Sequence, residues 1–149
     1  MSEIEVTNNG YVITTDKQKM DVEAIHHYLT NSYWAAGIPK SVVEKSIANS
    51  LCFAILYNGA QVGFARLVTD MATFAYLADV YILEEHRGKG LSKWMMETIQ
   101  SQPGLQGFRR WLLATRDAHG LYKQFGWTEL TEQANKSMMQ RHFPDVYKQ

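Results

Sequence analysis

The chain has 149 residues, 46% of them hydrophobic and 20% charged, with 15 basic side chains against 15 acidic ones. That length suits one domain around one core, and that balance suits a folded chain rather than a disordered one. With no formal net charge, neither nucleic acid nor an anionic membrane is favoured as a main partner.

Taken in order, Tyr11 to Thr15 reads as a short β-branched strand after the turn signal Asn8-Asn9-Gly10. Met20 to Asn31 is helical by pattern, with Val22, Ile25 and Leu29 along one side. An aromatic loop follows, holding Tyr33, Trp34 and Ile38 and ending at Pro39. Ser41 and Glu44 stand at capping-box spacing and predict a second helix to about Asn49. Leu51 to Tyr57 is an apolar strand, Asn58-Gly59 is a strong hairpin signal, and Gln61 to Val68 continues the meander. Its third strand runs from Ala72 to Leu83.

Leu91, Trp94, Met95 and Ile99 recur at the spacing of one buried helix face, and Pro103-Gly104 ends that helix. Arg109 to Ala114 forms another strand. Ala118, Leu121, Tyr122 and Phe125 mark a short helix that Gly126 stops. Trp127 to Leu130 is expected to be extended, and Ser137 to Phe143 to be a last edge strand, free to pair across a homodimer. The order of elements implies a mixed α/β (α+β) fold with a central sheet flanked by helices.

Cys52 is the one cysteine; it sits in the apolar run Leu51 to Leu56, where a thiol serves as a small core hydrophobe. The opening MSEIEV lacks the regions of a secretory signal, and no apolar run approaches the roughly 20 residues of a bilayer span. A cytoplasmic protein with no membrane partner is expected. The five histidines show no metal-site spacing, so no metal is expected.

The most informative stretch is Val80 to Trp94, VYILEEHRGKGLSKW: a strand, a turn through Arg87-Gly88-Lys89-Gly90, then a helix. Two glycines and two cations at such a turn suggest an anion site, because the helix start offers free amides and a partial positive charge. The plainer reading is a tight turn with solvated charges. Neither GxxxxGK[ST] nor GxGxxG is present, which argues against a nucleotide-binding protein.

Arg87-Gly88-Lys89-Gly90-Leu91-Ser92, after its apolar strand, resembles the acetyl-CoA pyrophosphate loop of the GNAT superfamily of N-acetyltransferases, Arg/Gln-x-x-Gly-x-Gly/Ala. Arg87 and Gly90 match, and Ser92 takes the last small position, a mild departure. A second segment, Thr115 to Trp127, resembles the family's Ala and Leu-Tyr pattern at Ala118, Leu121 and Tyr122. The resemblance extends to the order of elements. It implies one GNAT-type domain over residues 1–149, with a mainly antiparallel sheet, and acetyl-CoA as cofactor.

What the resemblance implies for single residues is specific. The loop Arg87 to Ser92 would meet the pyrophosphate, and Val80, Tyr81 and Ile82 would pair with the pantetheine arm as an added strand. A backbone N–H near Val80 would polarise the thioester carbonyl. Tyr122 matches the tyrosine that protonates the departing thiolate; its alternative is a place on the Leu121/Phe125 core face.

The acceptor amine must lose a proton, and Asp79, an acid inside an apolar strand, is the leading base. A structural carboxylate bonded to backbone N–H groups is the equal alternative. His119 and the pair His26-His27 rank below it. Strand alternation sets Asp79 and Tyr81 on one face, opposite Val80 and Ile82. Tyr33, Trp34 and Tyr81 are the candidate acceptor-site residues, with Trp34 equally able to pack on the sheet. Arg66 and Arg116 are further candidates for an acidic substrate group. The expected activity is direct acetyl transfer to a primary amine of a small molecule or peptide; the competing reading is a non-catalytic acyl-CoA-binding module.

Overall fold

Asn9 and Gly10 both adopt positive φ, 50° and 83°, and this turn joins two strands rather than merely opening one. β1 (Glu5–Asn8) and β2 (Tyr11–Thr14) pair antiparallel across it. The computed structural model describes residues 1–148. β3 (Leu51–Tyr57), β4 (Ala60–Thr69) and β5 (Phe74–Ile82) extend the antiparallel meander, and β6 (Arg110–Leu113) adds to β5 in parallel. The sheet therefore runs β1-β2-β3-β4-β5-β6. Asn58 and Gly59 turn the β3–β4 hairpin at φ 50° and 79°, the left-handed geometry that matches the twist of paired strands.

Both faces of the sheet are covered. On one lie α1 (Val22–Thr30) and α2 (Lys40–Ala48), which bury Ile25, Leu29, Val43 and Ile47 against Cys52, Ala54, Phe64 and Tyr81. On the other lie α3 (Leu91–Gln100) and α4 (His119–Lys123); Leu91, Met95, Met96, Ile99 and Tyr122 join Ile13, Phe53, Ile55 and Leu67 there. Phe53 and Phe64 are wholly buried on opposite faces, and each contributes about 2–3 kcal/mol by leaving water. No helix among the described residues is long and apolar enough to cross a membrane.

Some boundaries depart from the sequence patterns. α1 begins at Val22 because the Asp21 side chain accepts from Ala24 N at 3.0 Å and caps the helix. α2 begins at Lys40, with Pro39 as its cap, so Ser41 and Glu44 do not form a capping box. Pro39 has its φ fixed near −68° and starts the helix early, which leaves Ser41 inside the first turn.

The chain after Gly126 differs more. Trp127 to Leu130 makes no strand, and Ser137 to Phe143 is not an edge strand. Instead α5 (Glu132–Ser137) forms, because Thr131 caps Ala134 N at 3.1 Å and Glu132 pairs with Lys136 at 3.1 Å one turn on. β6 is left as the sheet edge, and the segment offered for pairing across a homodimer is not a strand.

Candidate active site

β5 and β6 part company half-way along β5. Their register holds from Phe74↔Arg110 to Leu77↔Leu113 and then stops, while β5 continues to Ile82. On its other side β5 stays paired to β4, through Gly63↔Ile82 and Phe64↔Tyr81. From Ala78 to Ile82, then, one backbone edge has no strand beside it. A cleft of about 1350 Å³ opens at this divergence, lined by Val80, Tyr81, Arg87, Ser92, Ala114 and Tyr122 among others.

Within that edge the register jumps. Ala78 faces Arg66 and Tyr81 faces Phe64, so Asp79 and Val80 together oppose the single Ala65. Asp79 takes up the extra residue at φ 55°, a left-handed conformation that Asp adopts more readily than most side chains. The expected faces hold: Val80 and Ile82 pack with the α3 core, whereas Tyr81 packs with the α1/α2 core.

Each oxygen of the Asp79 carboxylate accepts one side-chain hydrogen bond. Oδ2 accepts from Arg66 Nε at 2.8 Å and Oδ1 from Trp34 Nε1 at 2.9 Å. Its partners are side chains, not the backbone amides of the structural alternative. Arg66 also donates to Ser50 Oγ at 3.1 Å. One ion pair thus joins the bulge, the next strand and the aromatic loop.

At the other end of the cleft is the glycine turn. Gly88 and Gly90 stand at φ 78° and 76°, and a Cβ added at either would meet nothing within 4 Å. Gly90 is the N-cap of α3 and brings no side chain to it, so the first-turn amides keep their donors. The side chains nearby are committed differently. Leu91 is buried in the core and offers only its amide. Arg87 turns back, donating from Nε to Ile82 O at 2.9 Å and from Nη2 to the Tyr28 hydroxyl at 3.1 Å. Lys89 Nζ reaches Tyr11 Oη at 3.4 Å, and that hydroxyl lies 2.8 Å from His86 Nδ1. The loop therefore presents main chain, with Ser92 beside it on the cleft wall.

Tyr122 comes from α4, whose short helix sets the ring against Trp127 in an edge-on contact at 5.9 Å. It is 7% exposed and belongs to the core cluster, yet it also lines the cleft. The place on the Leu121/Phe125 core face is the one observed. Burial, and secondarily the nearby Tyr33, push its phenol up to about 12.

At the aromatic loop, Tyr33 and Trp34 are 53% and 40% exposed and line the cleft rather than packing on the sheet. Tyr81 is 4% exposed; its ring stacks on Tyr28 at 3.9 Å and 8°, a floor beneath the cleft. Burial raises its phenol as well. Arg116 lies 3.8 Å over the Tyr33 ring. His119 lines the separate hollow beyond β6, and His26 is tied to Ile38 O at 3.0 Å. Tyr28 and the carboxy-terminal His142 and Tyr147 also line the cleft, and no periodicity or motif had marked them.

Comparison with known proteins fits this architecture. Residues 48–129, more than half of the chain, match the acetyltransferase (GNAT) domain model. A candidate acetyltransferase of Gibberella zeae is 33% identical over 150 residues, covering 85% of this chain and 84% of that one. The crystal structure of a GNAT-family protein from Xanthomonas campestris pv. campestris superposes with a TM-score of 0.90 at 44% identity, over 93% of this chain and 97% of that one. A Clostridium acetobutylicum protein solved with acetyl-CoA shares the fold, with a TM-score of 0.57 at 13% identity over 82% and 91% of the two chains. The family model, the Gibberella relative and the Xanthomonas structure agree, and the chain belongs to the GNAT family of acetyltransferases, an acyltransferase rather than a binding module.

Proposed function

We propose that the chain, as one domain over residues 1–149, transfers an acetyl group from acetyl-CoA directly to a primary amine. The observation that carries this is the convergence, in one cleft, of an unpaired strand edge, an uncapped glycine turn, a protonated phenol and a carboxylate. Acetyl-CoA supplies the acetyl thioester. The residues fit it: the edge at Val80, Tyr81 and Ile82 suits a chain of amides, and the amides from Gly88 to Ser92 suit a diphosphate. The cations of Arg87 and Lys89 add to the local potential while their side chains are held by neighbours.

Asp79 is the group that takes the proton an attacking amine gives up; each carboxylate oxygen keeps a lone pair beyond the bonds from Arg66 and Trp34. Tyr122 holds the proton that the leaving sulfur needs. Its raised pKa keeps the phenol protonated throughout the neutral range. The protons balance: Asp79 gains one and Tyr122 yields one as the C–N bond forms and the C–S bond breaks. Tyr33, Trp34 and the stacked Tyr81 give the amine an aromatic surround.

The test is thiol release from acetyl-CoA with a panel of primary amines. Amine-dependent release is expected, falling about 100-fold or more in Asp79→Asn, the lower range for loss of a general base. Tight acetyl-CoA binding with no release for any amine would overturn the reading.

A further inference from the structure

The segment after α5 was expected to be a strand; it is a strap that ends in the cleft. Met138, Met139 and Gln140 border the hollow beyond β6, and Met138 Sδ accepts from Arg110 Nη1 at 3.5 Å. A few residues on, His142 and Tyr147 line the active-site cleft. The strap thus passes from the outer edge of the sheet to the acceptor loop. It closes on itself in a turn, with Val146 N donating to Phe143 O at 3.2 Å and Lys148 N to Asp145 O at 3.0 Å.

This strap is not held by general burial, since Phe143 and Val146 remain largely exposed. Tyr147 is its anchor: half-buried, it packs against the core under α1 and α2. Its carbonyl oxygen would lie 3.0 Å from a Cβ at position 37, where Gly37 stands at φ 84°. Gly37 is therefore needed twice, for its left-handed backbone and for the close approach of the strap. Three residues before it is Trp34, which holds Asp79. The strap, the aromatic loop and the proposed base are physically joined.

We propose that His142 and Tyr147 are specificity-determining residues whose strap rims the acceptor side, so that the cleft admits a small amine and refuses a peptide lysine. The proposal rests on the amine-acetylating reading above and narrows it. A lysine within a peptide carries chain in both directions and needs a groove open at both ends. Here Tyr33 and Trp34 stand on one bank, and the strap seated at Gly37 joins that bank to the far side. An exclusion of this kind selects by obstruction rather than by added affinity.

The experiment compares benzylamine with a terminally blocked peptide of about ten residues holding one lysine, in the full chain and in Tyr147→Ala, His142→Ala and Gly37→Ala. Gly37 lines no part of the cleft and dislodges the strap indirectly. The unaltered chain is expected to favour benzylamine by about tenfold or more in kcat/KM, and Tyr147→Ala and Gly37→Ala to reduce that preference by about fivefold or more, with the KM for acetyl-CoA held within about twofold. His142→Ala is expected to shift it in the same direction. Equal use of both amines by the unaltered chain, or an unmoved preference in Tyr147→Ala and Gly37→Ala, would overturn the proposal. If acetyl-CoA binds but neither amine reacts, the failure belongs to the amine-transfer reading. Hydrogen exchange then decides the strap: the amides of Gly37 and Ile38 exchange faster in Tyr147→Ala if the strap holds the loop, and at the same rate if it does not.

Discussion

At the glycine end of the cleft the groups on offer are main-chain amides, whereas at the acceptor end they are side chains from distant segments. The first end needs only that a strand runs free past its neighbour and that a helix starts at a left-handed glycine. The second needs Trp34 from a loop, Arg66 from β4, Asp79 from a bulge in β5 and Tyr147 from the carboxy-terminal strap. Main-chain recognition is indifferent to most substitutions nearby and sensitive to backbone conformation. Side-chain recognition is the reverse.

The sharpest way to break the contrast is at Gly90. Any L-residue at its φ of 76° costs about 1 kcal/mol, but a Cβ there meets nothing, so the backbone itself survives substitution. Gly90→Asp adds a carboxylate to the turn proposed to hold the diphosphate, and acetyl-CoA affinity by calorimetry is expected to fall about 100-fold or more. Gly90→Asn, neutral and tolerant of the left-handed region, is expected to lose less than about tenfold. Equal losses would mean that shape, not charge, governs the loop. No loss in either would remove the loop from recognition.

Tyr122 sits between the two ends and tests whether the cleft catalyses or merely holds. Tyr122→Phe keeps the ring against Trp127 and deletes the proton, so turnover is expected to drop about 100-fold with acetyl-CoA affinity little changed. Burial pushes the phenol up to about 12, and the donor is the protonated form. Its contribution is therefore present at neutral pH and lost only as pH climbs toward that value. Between about pH 7 and pH 10 the profile of kcat is expected to show no fall that Tyr122→Phe abolishes. A Tyr122-dependent fall inside that range contradicts the assigned role.

How much of this was legible in the residues follows the same division. Local signals carried the glycine end: the apolar run into Ile82, the RGKG turn and the Leu91/Trp94/Met95/Ile99 face all lie within one stretch of chain. Asn58-Gly59 gave the hairpin for the same reason. The acceptor end was legible only in part. Arg66 was noticed as a cation, but its partner could not be known, because contact with Asp79 depends on a bulge that shifts the register opposite Ala65. Periodicity assumes regular strands and has no term for an inserted residue. The strap was misread because nothing local in Ser137 to Phe143 says whether a strand lies beside it, and Ser137 is instead the last residue of α5. Pro39 taking the start of α2 from Ser41 is a smaller case, in which two valid local signals compete and the fixed φ wins.

The smallest expected effect is at Cys52, and it separates direct transfer from transfer through a covalent acyl-enzyme. Cys52 is wholly buried beneath α2, with Ile47 O the nearest acceptor at 3.8 Å, and burial pushes its thiol up to about 11. A thiol so far from ionising is a poor nucleophile, because the thiolate is the reactive form. Cys52→Ala removes one buried atom from the α1/α2 core, which costs about 1 kcal/mol, comparable to Ile→Val. For a chain of this size that lowers the melting temperature by about 3 °C. Turnover per folded molecule is expected to stay within about twofold, since a direct transfer makes no use of the sulfur. A collapse of turnover with a melting point only slightly lowered would mean that the acetyl group rests on Cys52 in transit, and the assignments of Asp79 and Tyr122 would then have to be redrawn around it.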